Sequence, residues 1–216
     1  MEKVNFKKER YNADLVIGTF GLRHKVADCP HLDRWLHTHI ALNTDEAQYI
    51  APYRRLLETE GDYWNEEELK MHFLAHVFAL SQLRESDKIK LFYERSLQSE
   101  VDGQSIFVIC DCMVATPFGI NTPQKPFFFL QEFKRAKKPD DPEGQMLLAM
   151  IAAQHQNGND KPVYGCWLQG RNWVFTTLHQ KNYCVSPIYD ATVVEELHQI
   201  ISILRNLKKI ILADLA

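Results

Sequence analysis

No run of about 18 apolar residues occurs in the chain, so the sequence offers no membrane-spanning helix. Charge of one sign is also lacking. Twenty-eight acids stand against 25 Lys and Arg, a net charge of −3, so no global field advertises a nucleic-acid partner. A polyanion would have to be held by a local basic patch or through a bound cation. Cysteine is scarce and odd in number (29, 110, 112, 166 and 184), and Cys110 and Cys112 flank one residue of an apolar run, the pattern of packed reduced thiols. The opening stretch MEKVNFKKERYNADL has none of the apolar character of a signal peptide. These features together predict a cytoplasmic protein. No Gly-x-Ser-x-Gly, Walker or dinucleotide-binding loop is present. What remains is ordinary: 45% hydrophobic and 25% charged residues over 216 positions, which excludes a disordered, collagen-like or fibrous chain.

Residues 1–60 read as an irregular and helical elaboration rich in His, Tyr and Arg, with a helix-like stretch near residues 44–58; residues 61–216 read as the main domain. Asn65 and Glu68 have the spacing of a capping box, and Leu69, Phe73, Val77 and Leu80 recur at helical intervals behind it. Residues 89–116 are strand-like. Thr116–Pro126, with its prolines, reads as a loop, and Phe127–Lys134 as a strand buried on both faces. A helix of about 11 residues is predicted from Gln145. Val163–Leu168 and Trp173–Leu178 form a hairpin signal, and Leu197, Ile200, Leu204, Leu207 and Ile211 mark a final amphipathic helix. That apolar stripe needs cover from the sheet or from a second copy, so a homodimer or larger complex stays open. The order gives an α/β (α+β) domain, a central mixed sheet flanked by helices.

Two strands contain charges that apolar strands should not hold. Asp111 interrupts Phe107–Val114, where simple alternation puts it on the face of Ile109 and Met113. Glu132 and Lys134 follow the Phe127–Leu130 run and share one face, with only Phe133 turned away. A buried carboxylate without a partner costs several kcal/mol or is neutralised. Two carboxylates and an ammonium on one face resolve that cost if a divalent cation joins them. Mg²⁺, or Mn²⁺ in its place, suits such an oxygen-ligand site.

Asp111, a 20-residue spacer and then Glu132-Phe-Lys134 resembles the D…(D/E)-x-K signature of the restriction-endonuclease-like PD-(D/E)XK nucleases. The helix from Gly144-Gln145 is similar to the one that follows this strand in several of their families and carries a glutamine facing the site. Asn65-Glu66-Glu-Glu-Leu69 is similar to their first helix, whose glutamate approaches the metal. The hairpin Val163–Phe175 is similar to predicted nuclease families related to type I restriction subunits. The resemblance spans residues 65–212 and departs from the pattern at Cys110, which stands where the motif has proline. It implies a restriction-endonuclease-like core and metal-dependent hydrolysis of DNA phosphodiesters. Asp111 and Glu132, with Glu66, would be metal ligands; Asp111, Glu132, Lys134 and Gln145 would form the catalytic set. The alternative is a catalytically silent relative that serves as a nucleic-acid-binding or protein-interaction module.

Helix geometry independently singles out Glu66. At about 100° per residue from Leu69, Phe73 falls at about 40°, Val77 at about 80° and Glu66 at about 60°, whereas Glu68 lies at about 260°. Arg135, Lys137 and Lys138 are basic residues placed to contact a DNA backbone. Cys29-x-His31 and His37-x-His39 contain zinc-ligand types, but neither spacing matches the usual paired pattern of a structural site. His72 and His76 are four apart with Phe73 in place of the HExxH glutamate, and they read as packing residues.

Overall fold

The structure is a computed structural model and describes residues 3–85, 87–136 and 141–215. Its centre is an eight-stranded mixed sheet, and helices cover both faces. The strands are β1 (Arg23–Lys25), β2 (Lys90–Val101), β3 (Gln104–Phe118), β4 (Thr122–Lys134), β5 (Val163–Gln169), β6 (Asn172–His179), β7 (Asn182–Val185) and β8 (Tyr189–Asp190). Their spatial order is β1-β7-β6-β5-β4-β3-β2, with β8 paired to β6 off that path. β2, β3 and β4 form an antiparallel meander, and β5 then lies parallel to β4. A parallel neighbour requires a crossover, and α6 (Pro142–Asn157) supplies it. This helix runs 16 residues rather than the 11 expected, because Pro142 opens its first turn and Asp141 caps Gly144.

The remaining helices are α1 (Ala13–Phe20), α2 (Pro30–Leu36), α3 (Thr44–Glu60), α4 (Glu66–Leu69), α5 (Ala75–Ser81) and α7 (Val194–Asp214). One core joins α2, α3, α5 and α7 to one face of the sheet around Trp35, which meets Phe129, Tyr164 and Phe175 edge-on. The other core packs α1 and α6 on the opposite face. The stripe of α7 is buried inside its own chain, so a second copy is not needed to cover it. Among the described residues no helix is long and apolar enough to cross a membrane.

Three local expectations are corrected. Thr116–Pro126 is mostly ladder, not loop: Thr116, Pro117 and Phe118 pair with Gln124, Pro123 and Thr122. Pro117 and Pro123 face each other, a pairing that asks neither for the N–H it lacks. The capping box at Asn65 and Glu68 forms in full, but the helix behind it does not keep 100° per residue. Lys70–Leu74 is a π turn between α4 and α5, and it leaves Leu80 only half-buried. Finally, Cys29 and Cys184 are joined in a disulfide, while Cys110, Cys112 and Cys166 are free and buried.

Candidate functional site

Asp111 sits where the sheet comes apart. The β3–β4 ladder runs from Phe118↔Thr122 to Cys112↔Gln131 and stops. Beyond it β4 stays paired with β5 as far as Lys134↔Gln169, while β3 stays with β2. At the fork the Asp111 carboxylate replaces the missing backbone acceptor: Phe133 N–H donates to Asp111 Oδ2 at 3.0 Å. On the other side the β2–β3 ladder skips from Tyr93↔Cys112 to Arg95↔Cys110, and Glu94 lies in the left-handed region at φ 51°. Such a conformation costs a non-glycine residue about 1–3 kcal/mol and gathers at functional sites. The double break also changes the strand's phase. Cys110 and Met113 pack in the α6 core and Cys112 in the opposite one, so Asp111 does not share a simple face with Ile109 and Met113 as alternation predicts.

Three of the sequence-predicted residues meet at this fork. Lys134 Nζ donates to Glu132 Oε1, and lies 4.0 Å from Asp111 Oδ2. The two carboxyl groups are themselves within hydrogen-bonding reach. All three residues are buried. Burial pushes the Asp111 carboxyl above its usual range, against the Phe133 N–H and the charges of Lys134 and Lys70. Burial, followed by the Asp111 charge, pushes Glu132 well up. For Lys134 burial acts downward, but the charge and hydrogen bond of Glu132 outweigh it and keep the ammonium protonated.

Glu66 is half-buried, and its charge reaches Lys134. Its neighbours are engaged elsewhere, Glu68 in the cap and Glu67 with Lys70 at 3.0 Å. Glu66 and Arg135 line one open cavity with Asn65 and Glu67. Arg135 is exposed, whereas Lys137 and Lys138 lie outside the described residues. Gln145 is not drawn into the carboxylate cluster: its Nε2 donates to Ile109 O at 3.2 Å, and it lines a separate cavity with Tyr11 and Phe107. Among the described residues no three His, Cys, Asp or Glu side chains are already grouped around one cation position.

The sequence reading missed Lys70, Glu94 and Tyr11. Lys70 Nζ lies 2.9 Å from Glu94 Oε1 and 3.9 Å from Asp111 Oδ1, over the Phe133 ring. A helical wheel does not single it out, because its partners lie on β2 and β3; a π turn begins at Lys70, and such turns concentrate at functional sites. With Asp111, Tyr93 and Phe78 it lines a cavity of about 500 Å³. Tyr11 feels the charges of Glu132 and Lys134, and burial raises its phenol first. Its backbone packs directly on α6 because Gly144 lacks a side chain: a Cβ there would come 1.6 Å from Tyr11 O.

No protein-family model matches this chain, and no curated protein matches it.

Proposed function

We propose that the chain hydrolyses DNA phosphodiester bonds with a divalent metal, using Asp111, Glu132 and Lys134. The observation that carries this reading is the convergence of two buried carboxyl groups and one lysine, from two diverging strands, beside an open cavity. The strand order around them also supports it: a meander bears the acids on its second and third strands, followed by a crossover helix and a parallel strand. The donor set fits Mg²⁺ or Mn²⁺. Two adjacent carboxyl groups held out of water are costly when charged, and oxygen ligands are what these ions take. Asp111 and Glu132 would hold the ion, with Glu66, whose charge reaches Lys134, as a further ligand. When bound, it supplies Lewis-acid polarisation of a phosphate oxygen and a more acidic water. Asp111 keeps β3 and β4 in register at the fork through Phe133 N–H. Lys134, held protonated, offers its charge where negative charge develops on phosphorus. Arg135 extends the site toward a nucleic-acid backbone.

The direct test is incubation with supercoiled, linear and single-stranded DNA in Mg²⁺, Mn²⁺ or EDTA. Metal-dependent cleavage that disappears in Glu132→Gln is expected. Cleavage of none of them, cleavage that persists in EDTA, or an active Glu132→Gln overturns the reading.

A second reading, a silent nucleic-acid-binding or protein-interaction module, draws on the pairing of these acids with both Lys70 and Lys134. Melting with and without Mg²⁺ separates the two. A carboxyl whose folded pKa lies above its unfolded value contributes less stability as pH rises through the window between them. Without metal, Glu132→Gln should therefore gain melting temperature on the natural chain as pH rises above about 4.3, the ordinary Glu value. Mg²⁺ should then raise the natural chain's melting point and not the variant's. A Mg²⁺ shift absent from both favours the silent module.

A further inference from the structure

Across the sheet from the fork, the β1–β7 edge holds a second group of chemistry-bearing side chains. We propose that Cys29, His31, His179 and Cys184 form a redox-gated site that takes one zinc-like divalent cation once the disulfide is open. The four residues line a single cavity of about 230 Å³. Cys29 precedes the first turn of α2 and His31 lies within it; His179 ends β6, and Cys184 lies on β7. Neither Cys-x-His nor His-x₄-Cys is a recognisable site alone. The fold completes the set by laying the β6–β7 hairpin against the start of α2.

The donor chemistry is specific. Two thiolates and two imidazoles are a tetrahedral zinc set. The His31 and His179 rings meet edge-on with centroids 4.7 Å apart. His179 Nε2 lies 3.1 Å from Asp160 Oδ1, the carboxylate–histidine arrangement that orients a metal-binding imidazole and leaves Nδ1 to carry the lone pair. Two sulfurs bound to one Zn²⁺ at about 2.3 Å each must sit farther apart than two bonded sulfurs. The segment before Cys29 can supply that movement: Val26 is 81% exposed, and Ala27 and Asp28 are exposed too. In reducing compartments cysteines of this kind bind metal more often than they form disulfides.

The steps balance. A phosphine or dithiol reductant gives two electrons, with two protons from solvent, to convert the disulfide into two thiols, and is itself oxidised. One Zn²⁺ then displaces both thiol protons and forms two Zn–S bonds. Cys110, Cys112 and Cys166 take no part; burial pushes all three thiols up, and they serve as internal controls.

The experiment loads the full chain with Zn²⁺ in oxidised form and after phosphine reduction, counting free thiols and bound metal by atomic emission. About one Zn²⁺ per chain is expected after reduction and none before. Co²⁺ in its place should give thiolate charge-transfer and tetrahedral d–d bands. Asp160→Asn should weaken Zn²⁺ binding about 10- to 100-fold, as loss of an outer carboxylate does. His31→Ala and His179→Ala should lose the tetrahedral spectrum. A reduced, folded chain that binds no Zn²⁺ overturns the proposal. So does equal binding by the oxidised chain or by Cys29→Ser/Cys184→Ser, or a disulfide that opens only with unfolding. The comparison of redox states uses the natural chain alone, so it stands even if a variant fails to fold.

Discussion

Lys134→Ala should lower DNA cleavage by about two to three orders of magnitude, the usual loss of one group that stabilises a transition state. It should keep its Mg²⁺-dependent rise in melting temperature, because a protonated lysine has no lone pair to give a metal. The variant should also melt lower without metal, since Glu132 loses the ammonium that donates to it inside the protein. Removing one partner of a buried pair costs about 3–5 kcal/mol at most here, and Glu132 softens that loss by taking up a proton. Mg²⁺ should restore part of the difference. Cleavage rate and melting curve, measured on one preparation, decide between roles. Full activity in a folded variant removes Lys134 from the chemistry. An inactive variant whose melting no longer responds to Mg²⁺ makes Lys134 a structural partner of the acids instead.

Deleting residues 193–216 should abolish the folded state. The truncation removes α7, whose Leu197, Ile200, Ile201, Leu204, Leu207 and Ile211 are all buried. Burying one such side chain contributes about 1.5–3 kcal/mol, so six of them rival the about 5–15 kcal/mol of net stability a domain usually has. Trp35 would also lose the Ile203 carbonyl to which its Nε1 donates at 2.8 Å. Near-UV circular dichroism and dye binding should report a molten or aggregated product. A truncated chain that melts cooperatively at the natural temperature would show that α7 is dispensable.

The sequence shows best where one local rule decides the outcome. Asn65 and Glu68 complete their capping box, and the stripe of α7 is buried as its period requires, because each depends on spacing within one element. The gathering of Asp111, Glu132 and Lys134 was legible for a related reason: charges inside apolar strands demand partners, and few were available. Lys70 was illegible because its partners, Glu94 and Asp111, lie on strands that only the fold brings to it. The fork was equally hidden. Alternation assumes a continuous ladder, and the left-handed Glu94 opposite Asp111 has no glycine or proline to announce it. Cys29 and Cys184 stand 155 residues apart, so no local pattern could pair them.

The pairing of β1 with β7 sets the order in which the chain can mature during synthesis. The meander β2–β3–β4 joins near neighbours, so the fork carrying Asp111 and Glu132 can form while residues 135–216 are still being made. Arg23–Lys25 cannot find Asn182–Cys184 until the hairpin emerges, and Trp35 must wait for a carbonyl 168 residues ahead. The N-terminal quarter of this sequence is therefore made well before the residues that secure it. During that interval the apolar side chains of α2 and α3 lack their final cover. A ribosome pausing after β4 would hold a nascent chain with an assembled fork beneath an unfinished core.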